Sequence, residues 1–192
     1  EGVFNNEAQQ FEGTYKEGGI EMILNLKKGA VKIEDLRRPQ EPVKPYPYYN
    51  EEVVFENTEA KITLAGTLTL PNKNGTFPVV ILISGSGPQD RDESFMGHKP
   101  FLVLSDYLTK HGIGVLRFDD RGHGKSTGDF GNATTEDFSF DVLSAIAYLK
   151  TRNDVDIKKI GLIGHSEGGI IAPLAANNSK DVSFMVLLAS TG

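Results

Sequence analysis

The pattern of apolar and polar positions changes along the chain and divides it into regions. In "EEVVFEN" and "KITLAGTLTLP" the two kinds of residue alternate, which predicts a hairpin of two strands that ends at Pro71. Further along, continuous apolar runs end in glycines, as strands buried on both faces of a sheet do. These runs are "FPVVILISGSG", "IGVLRFDDRGHG", "KIGLIGHSEGG" and "VSFMVLLASTG". The pattern therefore predicts buried strands that follow an antiparallel hairpin.

Helical patterns separate the buried runs. "KPFLVLSDYLTKHG" predicts a helix that begins near Pro100 and ends before Gly112. "TTEDFSFDVLSAIAYLKTR" places its apolar residues on one helical face, after a capping-box pattern formed by Thr134 and Asp137. "GIIAPLAANN" predicts a further helix. The alternation of strand and helix predicts an α/β fold, in which a mostly parallel sheet has helices on both faces and an antiparallel N-terminal hairpin at one edge.

The first 36 residues differ from the rest, because short alternating segments are interrupted by glycines there. "FEGTYKEGG" and "IEMILNLKKG" predict short antiparallel strands with turns at Gly18-Gly19 and at Gly29. A few strands of this kind bury little apolar area by themselves. We therefore expect residues 1–36 to be the tail of a preceding β-rich domain.

A proline-rich stretch follows, with four prolines between Pro39 and Pro47. Prolines at this density favour an extended and semi-rigid chain, which predicts a linker over residues 37–45. A proline-rich arm packed on the next domain would have the same composition, so that alternative stays open.

The composition limits the classes of partner. The formal net charge is −6 and no basic run exceeds a pair, which argues against binding to nucleic acid. The absence of cysteine excludes disulfides, thiolate metal sites and a cysteine nucleophile. The four histidines are scattered without ligand spacing, so we expect neither a metal nor a cofactor. No apolar run approaches the roughly 20 residues of a membrane span, and the compartment stays open between cytoplasm and a periplasmic or secreted location.

Glycine loops follow the buried strands at Ser84–Gly87, Asp119–Ser126 and Gly164–Gly168. Ligands of open α/β sheets bind outside the carboxyl ends of the strands, so we expect these loops on one rim. Gly124-Lys125-Ser126 is similar to the end of a phosphate-binding loop, but the first glycine of that motif would stand at Asp119. A dinucleotide fingerprint beginning at Gly122 also fails, because its third glycine would stand at Thr127.

The loop Gly164-His165-Ser166-Glu167-Gly168 has the G-x-S-x-G spacing of a nucleophile elbow, directly after a strand and before a helix. Small flanking residues permit a tight turn that exposes Ser166, which becomes the candidate nucleophile. The helix start directs backbone N–H groups toward this point. We expect the backbone N–H groups of Glu167 and Ser86 to form an oxyanion hole. The alternatives are a helix-capping role for Ser166 and a merely flexible turn at Ser84–Gly87.

Taken in order, "LISGSGPQDRD", "RFDDRGHGKS" and "GLIGHSEGG" resemble the motifs of the α/β-hydrolase superfamily, and more narrowly its bacterial serine esterases and hydrolases. The resemblance covers residues 46–192, which would be the N-terminal part of such a domain. It implies a small-molecule ester or acyl substrate and an acyl-enzyme on Ser166. It also implies that Asp119, Asp120, Arg121 and His123 are scaffold residues rather than catalysts.

A serine nucleophile needs a base, and in this fold the chain order is serine, acid, histidine. The residues after Ser166 contain no histidine, and Asp181 precedes the next predicted strand, at its wrong end for the acid. We expect the triad acid and histidine to lie outside this chain, which is then a fragment inactive by itself. A serine peptidase or amide hydrolase of the same fold, and a non-catalytic binding module on this scaffold, remain alternatives.

The four histidines of the chain are the candidates to replace the missing base. The side chain of His165 is expected to point away from Ser166. His98 and His111 border the first predicted helix, where a solvated or capping role is expected. His123 lies on the correct rim, but as a base it would break the chain order of the fold.

Overall fold

The computed structural model describes residues 2–17, 20–27, 29 and 38–190. The chain forms two compact units, Glu1–Arg37 and Arg38–Gly192.

The first unit is an antiparallel sheet in its described part. Its strands β1 (Gly2–Asn5), β2 (Gln10–Glu17) and β3 (Ile20–Lys27) lie in the order β1-β2-β3. The antiparallel strands predicted for this region are therefore confirmed. The turn predicted at Gly18-Gly19 falls on residues outside the described ranges, as do the neighbours of Gly29. That this sheet is the tail of a larger β-rich domain stays a prediction.

The second unit is built on a mixed sheet whose strands follow the predicted order along the chain. Across residues 38–190 the spatial order is β4-β5-β7-β6-β8-β9. The strands are β4 (Tyr49–Asn57), β5 (Ile62–Leu70), β6 (Phe77–Ile83), β7 (Gly114–Phe118), β8 (Val155–His165) and β9 (Val182–Leu188). The hairpin β4-β5 joins β7 in antiparallel fashion, whereas β6 to β9 pair in parallel. The predicted parallel sheet with an antiparallel hairpin at one edge is confirmed.

Three helices of the described second unit cover the sheet, α1 (Pro100–Lys110), α2 (Thr135–Lys150) and α3 (Gly168–Asn177). The side chains of β6 alternate between its two faces, as the pleat of a strand requires. On one face Val79 and Ile81 pack in a cluster that contains residues of α2 and α3. On the other face Val80 and Leu82 pack with Phe101 of α1. Helices therefore lie on both faces, which explains why β6 carries apolar residues at successive positions.

Parallel pairing brings the ends of β6 and β8 together at one edge of the sheet. Ile83 lies opposite Gly164 in the ladder of β6 and β8, and His165 lies opposite Leu188 in the ladder of β8 and β9. The loops that follow β6 and β8 consequently start side by side. This register places the two glycine loops singled out from the sequence next to each other.

Residues 38–48, at the start of the second unit, contain no helix or strand. Arg38 Nη2 donates a hydrogen bond to the Met96 carbonyl at 3.1 Å, within the second unit. None of the helices in residues 38–190 has the length and apolarity to cross a membrane.

The start of α2 has the capping box that the sequence predicts. Asp137 N–H donates to Thr134 Oγ1 at 3.3 Å, and Thr134 N–H donates to Asp137 Oδ2 at 2.8 Å. The two side chains thus satisfy backbone N–H groups that would otherwise lack partners at the helix start.

Replacement of the capping threonine tests its contribution to stability. Thr134→Ala is expected to lower the free energy of unfolding by about 1 kcal/mol, because one N–H of the first turn loses its acceptor. Urea denaturation followed by circular dichroism measures this change. Thr58→Ala, at an exposed position in the β4-β5 turn, is the control and should change the value by less than about 0.5 kcal/mol. Equal effects of the two variants would show that the cap contributes nothing specific.

Candidate active site

Ser166 occupies a sharp turn between β8 and α3. Its φ angle is +52°, a backbone conformation that costs a residue with a side chain about 1–2 kcal/mol. The turn is held on both sides, because Ser166 N–H donates to the Leu188 carbonyl at 2.9 Å and Gly169 N–H donates to the Ser166 carbonyl at 3.0 Å. The strained backbone is thus fixed by the neighbouring strand and by the helix that follows.

The glycines around Ser166 are required by close backbone contacts. A Cβ atom at Gly164 would lie 2.0 Å from the carbonyl oxygen of Gly168, and one at Gly168 would lie 2.3 Å from the carbonyl oxygen of Ile83. Neither position accepts a side chain without movement of the backbone. The spacing of glycines in this motif therefore reflects how tightly β6, β8 and α3 meet.

Ser166 opens into a cavity of about 590 Å³. This volume lies within the range of about 300–1,000 Å³ that is usual for small-molecule sites. The cavity is lined by Gly85, Ser86, Gln89, Glu93, Phe95, His98, Pro100, His165 and Ser166. Within residues 38–190, Ser166 Oγ has no hydrogen-bond partner. The hydroxyl is therefore available to a molecule bound in the cavity.

Two backbone N–H groups beside Ser166 are also available. Neither Ser86 N–H nor Glu167 N–H has a hydrogen-bond acceptor in the described second unit. Ser86 lines the same cavity as Ser166, and Glu167 follows Ser166 directly. The Glu167 carboxylate is held elsewhere, since its Oε1 accepts a hydrogen bond from Thr135 Oγ1 at 2.9 Å. Only the backbone of Glu167 is thus free for the role that the sequence predicts.

Glu93 is a site residue that the sequence analysis missed. Its side chain is buried, and its Oε1 accepts a hydrogen bond from Gly85 N–H at 2.8 Å and lies 2.7 Å from His165 Nδ1. The ring of His165 consequently borders the cavity with Ser166, whereas it was expected to point away. The alternation of side chains in β8 ends at His165. Because Ser166 has a positive φ angle, the side chains of His165 and Ser166 need not point to opposite faces.

Two acidic residues in the loop after β7, Asp120 and Asp119, bind side chains and backbone of neighbouring segments, and their assignment as scaffold residues stays a prediction. Asp120 accepts hydrogen bonds from Ser84 Oγ at 2.7 Å and from Gln89 N–H at 2.8 Å, so it ties down the loop after β6. Burial of this carboxyl raises its pKa to about 7, against the lowering effect of the two hydrogen bonds. Asp119 binds Arg91 in a two-pronged ion pair, at 2.9 Å and 2.8 Å.

Two further residues of this loop, Arg121 and His123, do not line the cavity that contains Ser166. Arg121 makes a buried ion pair with Asp141, with Nε 2.7 Å from Oδ2.

Of the remaining candidates for acid and base, His111 and Asp181 lie outside the lining of the cavity that contains Ser166, whereas His98 belongs to it. His111 Nδ1 lies 2.7 Å from the Tyr107 carbonyl at the end of α1, which fits the capping role expected for it. His98 is exposed, in agreement with the solvated role expected for it, and it also lines the cavity that contains Ser166. Asp181 pairs with Lys150 at 2.7 Å just before β9. No group of three or more potential metal ligands occurs in residues 2–17, 20–27, 29 and 38–190.

The chain is similar to a family of serine aminopeptidases and to an esterase. The sequence profile of the serine aminopeptidase S33 family matches residues 100–191. Esterase EstD of Thermotoga maritima is 33% identical over 135 residues, which cover 70% of this chain and 32% of that protein.

Solved structures resemble the chain over a similar share of its length. The esterase Pf2001 of Pyrococcus furiosus has a TM-score of 0.55 at 28% identity, covering 73% of this chain and 51% of that one. Est1E of Butyrivibrio proteoclasticus, solved with ferulic acid bound, has a TM-score of 0.57 at 27% identity, covering 69% of this chain and 50% of that one. The chain thus spans about half of these structures and about a third of its curated relatives, 32% and 35% of the first two.

Proposed function

We propose that this chain is part of a serine hydrolase of the α/β-hydrolase superfamily, and that the complete protein cleaves carboxylic esters through an acyl-enzyme on Ser166. The observation that carries this proposal is the environment of Ser166. A strained turn presents its unpartnered hydroxyl to a cavity, beside two backbone N–H groups that have no acceptor in the described second unit. The similarity to esterase EstD supports an ester substrate.

The proposed chemistry proceeds in two steps. Ser166 Oγ attacks the carbonyl carbon of the ester and its proton passes to a general base, while the carbonyl oxygen takes the negative charge. Ser86 N–H and Glu167 N–H donate hydrogen bonds to this oxygen. The intermediate collapses, the base returns the proton to the leaving alcohol, and water then hydrolyses the acyl-enzyme with the same base. We propose that a histidine and an acid of the complete protein, outside this chain, supply the base.

Amide hydrolysis is the second candidate, because the matching family profile is that of a serine aminopeptidase. The nucleophile and the oxyanion donors would serve an ester and an amide alike, since both pass through a tetrahedral intermediate. The two substrates differ in the leaving group, an alcohol in one case and an amine in the other. Rates for p-nitrophenyl butyrate and for aminoacyl p-nitroanilides, compared on the complete protein, separate the two activities.

Labelling with a fluorophosphonate tests the proposal directly. The complete protein is expected to gain the mass of one phosphonyl group, and peptide mapping should place it on Ser166, because only an activated serine reacts rapidly with this reagent. Heat-denatured protein is the control and should stay unlabelled. A complete protein that remains unlabelled would contradict the proposal and favour a non-catalytic binding module on a hydrolase scaffold.

A further inference from the structure

Two positions in the loop between β6 and α1, Gly85 and Glu93, meet the end of β8 at a single point beside Ser166. A Cβ atom placed on Gly85 would lie 3.1 Å from Ser166 Cβ, 3.4 Å from Glu93 Oε1 and 3.5 Å from His165 Nδ1. Only a residue without a side chain leaves this junction undistorted. The loop between β6 and α1 and the end of β8 are thus in contact where the proposed reaction takes place.

One carboxylate oxygen joins these segments. Glu93 Oε1 accepts the Gly85 N–H at 2.8 Å and contacts His165 Nδ1 at 2.7 Å. Gly85 directly precedes Ser86, and His165 directly precedes Ser166. Glu93 therefore binds the residue before one proposed oxyanion donor and the residue before the proposed nucleophile.

Glu93 is itself held firmly in place. Its φ angle is +51°, its N–H donates to the Asp90 carbonyl at 2.9 Å, and its side chain is 8% exposed. A buried carboxylate is costly unless hydrogen bonds satisfy it, so the contacts to Gly85 and His165 hold its side chain in one arrangement. A strained backbone that persists near a candidate site is consistent with a functional constraint.

We infer that Glu93 is a positioning residue that sets the spacing between the two oxyanion donors, Ser86 N–H and Glu167 N–H. This inference rests on the proposed function. Donors of an oxyanion hole must lie about 2.7–3.1 Å from the position of the charged oxygen, so a small shift of either loop weakens both hydrogen bonds. Asp120 fixes the loop after β6 through Ser84 and Gln89, and Glu93 fixes it at Gly85, toward Ser166.

The oxyanion develops in the transition state, so loss of this spacing lowers kcat more than it changes KM. Glu93→Leu, which lacks an acceptor, is expected to lower kcat for p-nitrophenyl butyrate about 30- to 300-fold with KM changed less than about threefold. Glu93→Gln keeps Oε1 as an acceptor at the same reach and should retain kcat within about fivefold. Glu93→Asp keeps the charge but is one methylene shorter, and it should be impaired like Glu93→Leu.

Variants of His165 test the contact between Glu93 Oε1 and His165 Nδ1 from its other end. His165→Asn keeps an N–H donor near the position of Nδ1 and should retain kcat within about tenfold, whereas His165→Ala should lose more. If His165 were instead the general base, His165→Asn would be as inactive as His165→Ala, because an amide accepts no proton at neutral pH. In the background of Glu93→Leu, His165→Ala should lower kcat little further, because the contact between residue 93 and His165 is already absent.

The complete protein is used throughout. Fluorophosphonate labelling tests the nucleophile Ser166 separately from the positioning role of Glu93. Glu93→Leu should be labelled more slowly than wild type but to the same final extent, because the nucleophile is intact. Glu56→Leu, at an exposed position of β4, is the matched control and should leave kcat unchanged. If Glu93→Leu does not fold, the comparison of His165→Asn with His165→Ala decides the question.

Three results overturn the inference. One is a Glu93→Leu variant with wild-type kcat, another is a Glu93→Gln variant as impaired as Glu93→Leu, and the third is a His165→Asn variant as impaired as His165→Ala. In each of these cases the wild type is still labelled on Ser166, and only the role of Glu93 fails. A wild type that is not labelled on Ser166 removes the proposed function itself and the inference with it.

Discussion

The Ser166→Ala variant of the complete protein is expected to hydrolyse p-nitrophenyl butyrate with a kcat at least about 10⁴-fold below that of the wild type. Alanine removes the attacking oxygen and leaves the cavity and the backbone N–H groups in place. The activity that remains comes from binding and from the oxyanion donors alone, which still act on an attacking water molecule. Steady-state kinetics with active-site titration of the wild type measure the ratio.

The effect of Ser166→Ala should be confined to chemistry. Both side chains meet the same strain at a φ angle of +52°, so the free energy of unfolding should change by less than about 1 kcal/mol. Ser94→Ala is the matched control, because Ser94 is exposed in the loop before α1 and its hydroxyl has no partner in residues 38–190. A Ser166→Ala variant as active as Ser94→Ala would rule out Ser166 as the nucleophile.

The elements of the fold could be predicted from the sequence because their signals are local. The apolar run of β6 fits a strand with a helix on each face, and the structure packs Val79 and Val80 on opposite sides of the sheet. The capping pattern of Thr134 and Asp137 lies within one helical turn. Such features depend on neighbours a few residues away, and the pattern of the chain contains them.

The site could be predicted only where its geometry depends on one short segment. Gly164 allows the close approach of β8 to Gly168 within a single turn, so the motif around Ser166 is visible in the sequence. Glu93 could not be found in this way, because its partners Gly85 and His165 lie 8 and 72 residues away along the chain. An acidic residue in a polar loop gives no sign of burial. Only the pairing of β6 with β8 brings these residues together.

The outcome for His165 shows how a sound rule fails at the end of an element. Alternation predicts that neighbouring residues of a strand point to opposite faces. β8 ends at His165, and Ser166 adopts a left-handed backbone conformation instead of an extended one. The rule therefore does not apply across this step, and the ring of His165 lies with its Nδ1 at 2.7 Å from Glu93 Oε1.

Gly164→Ala is expected to destabilise the chain by about 3 kcal/mol or more, although it adds only one methyl group. The added Cβ would lie 2.0 Å from the Gly168 carbonyl oxygen and 2.7 Å from the Gly169 nitrogen, so the start of α3 must move away from β8. The contact is with backbone atoms, which cannot rotate aside as a flexible side chain can. Guanidinium chloride denaturation measures the loss of stability.

Gly131→Ala is the matched control for Gly164→Ala. A Cβ at Gly131 would meet only Asp129 Oδ1, at 3.5 Å, which is an ordinary contact. This variant should change the free energy of unfolding by less than about 1 kcal/mol. Because α3 follows Ser166 directly, Gly164→Ala should also slow fluorophosphonate labelling of Ser166 in the complete protein, and Gly131→Ala should not. A Gly164→Ala variant with the stability and labelling rate of Gly131→Ala would show that the close contact of β8 with α3 does not constrain the turn at Ser166.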